Sequence, residues 1–296
     1  MNYYDEIKNE LINNEITKKI KDYTKNKSDL TTYYNVGKLL AEAGKHYGEG
    51  IIKVYSDRLS SELNIKYSVR TLYKIIKYFN YMNKQKVPTV SAKLSWSHYD
   101  ELLKLTDENI INYYIKISEE QNLSVRELRQ KIKSDEYERL DEETKKKLKD
   151  KEKLKLPDLV KNPLQIRNTS GNNEISEKVL QKLILEDIPS FLKELGSGFS
   201  FIDNEYKIKM GDRYNYIDLL LFNIEYNCYV VIELKVTELK KEHIGQIEVY
   251  MNYIDNNLKK LSQDKTIGII ICKKENNYII EYCSDDRIIA REYALV

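Results

Sequence analysis

The sequence predicts a chain in two parts, an all-helical front followed by an α/β domain built on a central mixed sheet. Three observations carry that reading. Apolar residues recur at spacings of three and four up to about residue 139, as in Leu11/Ile12/Ile16/Ile20 and Leu72/Ile75/Ile76/Phe79. The charged stretch ERLDEETKKKLKDKEKLKL then erases that periodicity, and Pro157 and Pro163 follow it. Beyond residue 168, strand-length apolar runs alternate with helical stripes, which is the texture of an α/β domain. The expected organisation is a helical domain over 1–150 that binds DNA or a partner, a charged linker over 151–165 and the α/β domain over 166–296.

In the front part, RLSSELNIKYSVRTLYKIIKYFNYM has the shape of a helix-turn-helix. One helix ends near Leu63, residues 64–67 turn the chain, and Ser68 can cap a second helix. Val69, Leu72, Ile76 and Phe79 are expected to face inward. That leaves Arg70, Tyr73, Lys74 and Lys77 for a DNA groove or backbone; the alternative is the solvated face of a helical hairpin. A ten-residue echo of this second helix, starting at Ser124-Val125-Arg126, reads as a similarly capped helix or as a second unit of the same kind. In LSWSHYDELL, Ser95 or Ser97 can cap the following helix and Trp96 reads as a packing anchor. His98 has no nucleophile-and-acid set around it in sequence.

In the back part, a helix is expected over about 174–195 with Asn173 as its N-cap. Strands are expected over 199–209, 214–223 and 228–236. A second helix follows over about 241–261, striped by Ile247, Met251, Ile254, Leu258 and Leu261. TIGIIIC and NYIIEYC read as two closing strands, giving the order α-β-β-β-α-β-β.

Composition bounds the function. With 296 residues, 41% hydrophobic and 32% charged, the chain can build real cores, so wholesale disorder is excluded. No apolar run nears the roughly 20 residues of a membrane span, and MNYYDEIKNE lacks a secretion pattern, so a cytoplasmic protein is expected. Cys228, Cys272 and Cys283 have no metal-ligand spacing and read as buried small residues. No GxxxxGK[ST] occurs, which argues against ATP use. Residues 1–150 hold 28 Lys and Arg against 24 Asp and Glu, and the remainder 21 against 23. A mildly basic front and mildly acidic back fit a nucleic-acid-reading half and a metal-binding half. The 25 tyrosines accompany plentiful Lys, Asn and Ile, so their number alone does not indicate base stacking.

The chemistry concentrates in YIDLLLF and YVVIELKV. Asp218, Glu233 and Lys235 stand inside otherwise apolar strands. Alternation puts Glu233 and Lys235 on one face, roughly 6.5–7 Å apart. A buried charge costs several kcal/mol unless it is paired or bound to metal, so three of them in two short strands need a cause. Two carboxylates suit a Mg²⁺ ion, and the Lys235 ammonium can orient water and offset phosphate charge. The bland alternative is that Glu233 and Lys235 neutralise each other while Asp218 ends a strand.

This arrangement resembles the PD-(D/E)XK nuclease superfamily, with Ile217-Asp218 as the first motif and Glu233-Leu234-Lys235 as the second. Ile217 stands where the motif name has Pro. The resemblance implies a restriction-endonuclease-like fold and a Mg²⁺-dependent site, with Mn²⁺ able to substitute. Glu177, in the first turn of the preceding helix, matches the helical glutamate that often completes the metal site; it also suits the helix dipole. Gln246 and Tyr250, four apart on one helix face, match a Gln-x-x-x-Tyr motif of helicase-linked exonuclease branches. LSWSH at 94–98, LSVRELRQKIKSDEYERL, FLKELGSGFSFI at 191–202 and HIGQIEVYMNYID at 243–255 narrow the likeness to the YhcG-like family, in which a helical domain precedes the nuclease domain. These blocks span roughly residues 33–255. The implied function is a metal-dependent DNA endonuclease recruited by its helical domain. The competing reading is a non-catalytic DNA-structure-binding or protein-interaction component on a nuclease fold. DNA is the expected partner, with a protein partner of the helical domain and a homodimer as further assemblies.

Overall fold

The computed structural model describes residues 2–19, 25–85, 93–169, 171, 175–283 and 285–296. The chain divides into two compact units, 1–134 and 135–296.

The first unit is helical: α1 (Tyr3–Lys19), α2 (Lys25–Tyr47), α3 (Gly50–Leu63), α4 (Val69–Lys84), α5 (Trp96–Leu102), α6 (Glu108–Glu120) and α7 (Val125–Lys133). Leu11, Val36, Leu40, Ile52, Leu59, Leu72 and Ile75 meet in its core. Gly37 of α2 lies so close to α4 that a Cβ there would fall 2.6 Å from the Ile75 carbonyl oxygen. The expected helix-turn-helix segment is present as α3 and α4. Asn64 ends α3 in the left-handed region at φ 53°, and Ser68 caps α4 by accepting the Thr71 amide at 3.1 Å. Leu72, Ile75, Tyr78 and Met82 form the buried stripe of α4; Val69, Ile76 and Phe79, expected inside, are only half-buried. The echo at Ser124 is a second serine-capped helix, in which Ser124 and Glu127 cap each other.

The second unit contains α8 (Glu142–Lys149), α9 (Leu156–Leu159), β1 (Leu164–Ile166), α10 (Glu177–Glu186), α11 (Ile188–Leu195), β2 (Phe199–Met210), β3 (Arg213–Asn223), β4 (Cys228–Leu234), α12 (Lys241–Asn257), β5 (Asp264–Cys272), α13 (Asn277–Cys283) and β6 (Ile288–Leu295). The six strands form one mixed sheet in the order β1-β6-β5-β4-β3-β2. β2, β3 and β4 are antiparallel neighbours, while β4, β5, β6 and β1 run parallel. Alternation splits the apolar runs between two faces. Leu219, Leu221, Val230, Ile232, Ile269 and Ile271 pack with α10 and α11, whereas Leu220, Val231 and Ile270 pack with Ile244, Ile247, Met251 and Ile254 of α12. Coverage on both faces explains why these strands read as continuous hydrophobic runs. A Cβ on Gly268 would meet Met251 Sδ at 2.5 Å, so this glycine sets how closely α12 lies on β5.

Four expectations are corrected. The segment 151–165 is not a linker: it holds α9 and β1, and Leu156, Val160 and Leu164 are core residues. Their three buried side chains outweigh the charges between them. The helix expected over 174–195 is two helices, broken at Asp187, whose side chain caps α11 through the Ser190 amide ahead of Pro189. The observed cap of α10 is Ser176, accepting from Val179 at 3.3 Å; Asn173 lies outside the described residues. NYIIEYC is the helix α13, because β5 and β6 are parallel and need a crossover between them. Finally, α12 stops at Asn257, leaving Leu261 exposed. No helix among the described residues is long and apolar enough to cross a membrane.

Candidate active site

The last paired residues of β3 and β4 toward this end are Leu219 and Ile232. One step beyond, Asp218 and Glu233 stand opposite each other where the ladder stops. The freed Leu234 amide donates to Asp218 Oδ2 at 2.7 Å, and Lys235 stays tethered to β5 through its own amide and the Ile271 carbonyl at 2.8 Å. Asp218 is thus fixed by the backbone of the strand that carries Glu233 and Lys235.

Glu233 is almost wholly buried. Its Oε1 accepts from Lys235 Nζ at 2.7 Å, while Oε2 is buried without a hydrogen-bond partner among the described residues. Burial, reinforced by the Asp218 charge, pushes its carboxyl up to about 7. Burial also raises Asp218, with the charges of Glu177 and Glu205 adding to it against the pull of the Leu234 amide and Lys235. Burial alone would depress the Lys235 ammonium, but the Glu233 hydrogen bond and the surrounding carboxylates outweigh that and hold it above its usual value. Three acids face one lysine here, and among the described residues one buried oxygen of the set has no hydrogen-bond partner.

Glu177 opens α10 and is half exposed; its Oε2 lies 3.6 Å from Lys235 Nζ. It therefore joins the cluster through the lysine. Among the described residues no group of three His, Cys, Asp or Glu side chains is close enough to hold a metal ion, so the three-carboxylate set expected from the sequence is not formed. The fit to a divalent cation rests on two residues, Asp218 and Glu233, whose hard oxygens are of the right kind and include the unpartnered Oε2.

On the opposite side, α12 carries Gln246 and Tyr250, and Gln246 Nε2 donates to Tyr250 Oη at 3.0 Å. Tyr250 is buried, and burial together with the Glu233 and Asp218 charges raises its hydroxyl, so the pair belongs to the same electrostatic environment. His243 caps the start of α12 by accepting the Lys240 amide at 3.2 Å; burial and then the Lys235 charge lower its imidazole.

Two residues escaped the sequence reading. Gln181 is buried one turn beyond Glu177 and donates to the Asp218 carbonyl at 3.1 Å, bracing α10 against β3. Its signal was the i, i+4 spacing from Glu177. Glu205, exposed on β2 with φ of 49°, adds its charge to Asp218 from the neighbouring strand. Only cross-strand register reveals it.

The candidate nucleic-acid residues lie apart from this cluster in sequence, on α4. Arg70 and Tyr73 are exposed. Lys74 is ion-paired with Asp100, and the Lys77 ammonium donates to the Leu103 carbonyl. His98 is structural: its Nδ1 accepts from the Ser95 amide at 3.1 Å and its Nε2 donates to the Leu123 carbonyl at 2.9 Å. Trp96 packs at a tilt against Tyr33 and edge-to-face against Tyr78, as a packing anchor should.

Residues 157–295 match the family described as the YhcG PDDEXK nuclease domain, and residues 9–139 match the DUF1016 N-terminal domain. The chain thus pairs a YhcG-type PDDEXK nuclease domain with a DUF1016 N-terminal domain. The two matches together account for most of its length. "Putative nuclease YhcG" of Escherichia coli (strain K12) is 25% identical over 219 residues, covering 70% of this chain. The aligned part is 58% of that relative, so the chain spans little over half its length. Two solved structures resemble parts of this chain. One is a repair endonuclease from Pyrococcus abyssi, at 18% identity, 43% of this chain, 49% of that one and a TM-score of 0.28. The other is a structure of an EndoMS-dsDNA2 complex, at 17% identity, 44% of this chain, 48% of that one and a TM-score of 0.29.

Proposed function

We propose that this YhcG-like protein is a divalent-metal-dependent nuclease that hydrolyses phosphodiester bonds in DNA, acting as an endonuclease. The observation that carries the reading is Glu233: a buried carboxylate facing Asp218 across the strand pair, with one oxygen on Lys235 and the other unpartnered. Asp218 and Glu233 would hold the cation, with Glu177 completing the charge cluster beside Lys235. A divalent cation held there, Mg²⁺ or Mn²⁺ in its place, would supply Lewis-acid polarisation of the phosphoryl oxygen and stabilisation of charge on the leaving oxygen. Lys235 orients water toward phosphorus with its ammonium, and the Gln246–Tyr250 pair holds the hydrogen-bonding edge of the site on α12. The opposing reading, a DNA-binding protein that no longer cuts, has the intact Asp218/Glu233/Lys235 set against it.

The test is incubation of the purified chain with linear, nicked, branched and single-stranded DNA in Mg²⁺, Mn²⁺ or EDTA. Cleavage that EDTA stops is the expected result; intact substrates in both metals overturn the assignment. Lys235→Ala is expected to lose turnover while calorimetry still detects metal binding.

The helical unit is proposed to recruit DNA through α4. Of the four α4 side chains, Arg70 and Tyr73 support this best, since Lys74 and Lys77 already have partners within their own unit. Arg70→Ala is expected to lower the log–log salt slope of duplex binding by about 0.9, the value of one phosphate contact. An unchanged slope would point this unit to a protein partner.

A further inference from the structure

The β2–β3 hairpin has two unlike faces. On one, Ile208 and Ile217 are fully buried against the α12 side. On the other, register pairs Lys207 with Tyr216 and Lys209 with Tyr214, and partners in register share a face. All four are exposed; Tyr214 and Tyr216 keep 54% and 51% of their surface in solvent. Lys207 Nζ lies 3.8 Å from the centre of the Tyr214 ring, which steadies the ring while leaving surface open. The four positions carry no acid, Arg213 adds a cation at the turn, and Glu205 and Asp212 bound the strip at its two ends. Along β3, Tyr216 is two residues from Asp218, so the strip runs into the candidate active site.

We propose that this strip is a track for an unpaired nucleic-acid strand, with bases stacking on Tyr214 and Tyr216 and phosphates held by Lys207 and Lys209. It rests on the nuclease reading and names the substrate class of that site: DNA with single-stranded character beside the scissile phosphate, such as a flap, gap or branch. Charge selects the occupant, because alternating lysines suit a polyanion. Spacing selects the strand form. Alternate residues on one strand face are about 6.8 Å apart, twice the rise between stacked bases in duplex DNA, so the rings fit bases that have left the stack. Base stacking on aromatic rings beside a basic groove is the general means of holding single strands. A second occupant would be another copy of this chain, since β2 is an edge strand, but two lysines in line on an edge oppose strand pairing.

The experiment is fluorescence anisotropy on the full chain with a fluorescein-labelled 20-mer, single-stranded or annealed, in EDTA, together with light scattering. Tyr214→Ala/Tyr216→Ala is expected to weaken single-strand binding about tenfold per ring and duplex binding by much less. Tyr214→Phe/Tyr216→Phe keeps the rings and is expected to bind as the parent does. Lys207→Ala/Lys209→Ala is expected to lower the single-strand salt slope by about 1.4, from about 0.7 per contact. Unchanged single-strand affinity in the alanine pair, an equal loss on duplex, or a shift from dimer to monomer in that variant each overturns the track. Because binding is read without metal, failure of cleavage leaves this result standing, and failure of the track leaves cleavage to be judged on its own.

Discussion

The Asp218/Glu233/Lys235 cluster and a second ionic cluster around Arg291 belong to one sheet, and they dispose of their charges differently. Arg291 is buried on β6, where its guanidinium donates to the Val160 carbonyl at 2.8 Å, the Ala290 carbonyl at 2.9 Å and Asp141 Oδ2 at 2.8 Å. Nearby, Arg139 pairs with Glu194 and donates to the Pro163 carbonyl at 2.7 Å, and Asn162 accepts the Glu292 amide at 2.9 Å. Each guanidinium there is answered by carboxylates and carbonyls, which pins α8, α9 and β1 to the sheet. Both clusters hold a glutamate that burial pushes up to about 7, Glu233 in one and Glu275 in the other. A raised carboxyl therefore does not separate chemistry from architecture. Charge balance does not either, since Glu275 has Arg291 beside it with Glu292 and Asp141, much as Glu233 has Lys235 with Asp218 and Glu177. Placement does, because Arg291 is taken up by the Val160 and Ala290 carbonyls and Asp141, whereas Glu233 faces Asp218 across the strand pair where the ladder ends.

The largest test of this contrast is catalytic. Asp218→Asn is expected to reduce metal-dependent cleavage on the order of a thousandfold, and Glu275→Gln to leave it unchanged, in single-turnover assays. Equal losses would erase the distinction. Stability should show the reverse. Arg291→Ala strands several buried carbonyls and is expected to cost on the order of 4 kcal/mol in urea unfolding, against little change or a gain for Asp218→Asn.

The pH dependence sharpens the comparison further. For both glutamates the folded carboxyl, at about 7, lies above its ordinary value of 4.5, so the fold favours the protonated form. The stability each contributes is complete below about pH 4.5 and is lost as pH rises through 7. In metal-free protein this amounts to up to about 3 kcal/mol per group. Glu233→Gln and Glu275→Gln should each flatten part of that fall in melts from pH 4.5 to 8. Added Mg²⁺ should restore stability to the parent and to Glu275→Gln, by about 2.7 kcal/mol at a hundred times the dissociation constant, and not to Glu233→Gln. Equal metal responses in all three would mean that Glu233 is no ligand.

What the sequence made legible follows from range. Asp218, Glu233 and Lys235 stood out because charges interrupt apolar strands, and strand alternation alone places Glu233 and Lys235 together. The hydrophobic runs likewise announced strands of a central sheet. The break at Asp187 was readable only by giving Pro189 more weight than the helical stripe around it. The segment 151–165 misled because its charge is local, whereas the residue that fixes it, Arg291, reaches Val160 from 131 positions away. Glu205 and the Tyr214/Tyr216 strip were hidden for the same reason: a strand's partner and the exposure of its faces are set by register.

The Leu234 amide, bonded to one oxygen of Asp218, has a spectroscopic consequence. Its proton senses the charge on that carboxylate directly, so its resonance in a nitrogen–proton spectrum should move downfield as Asp218 ionises and shift again when a cation engages the other oxygen. A single labelled leucine at position 234 would then report occupancy of the site in a protein that is neither cutting nor holding DNA, with slow exchange of that proton marking how firmly β3 and β4 are clasped there.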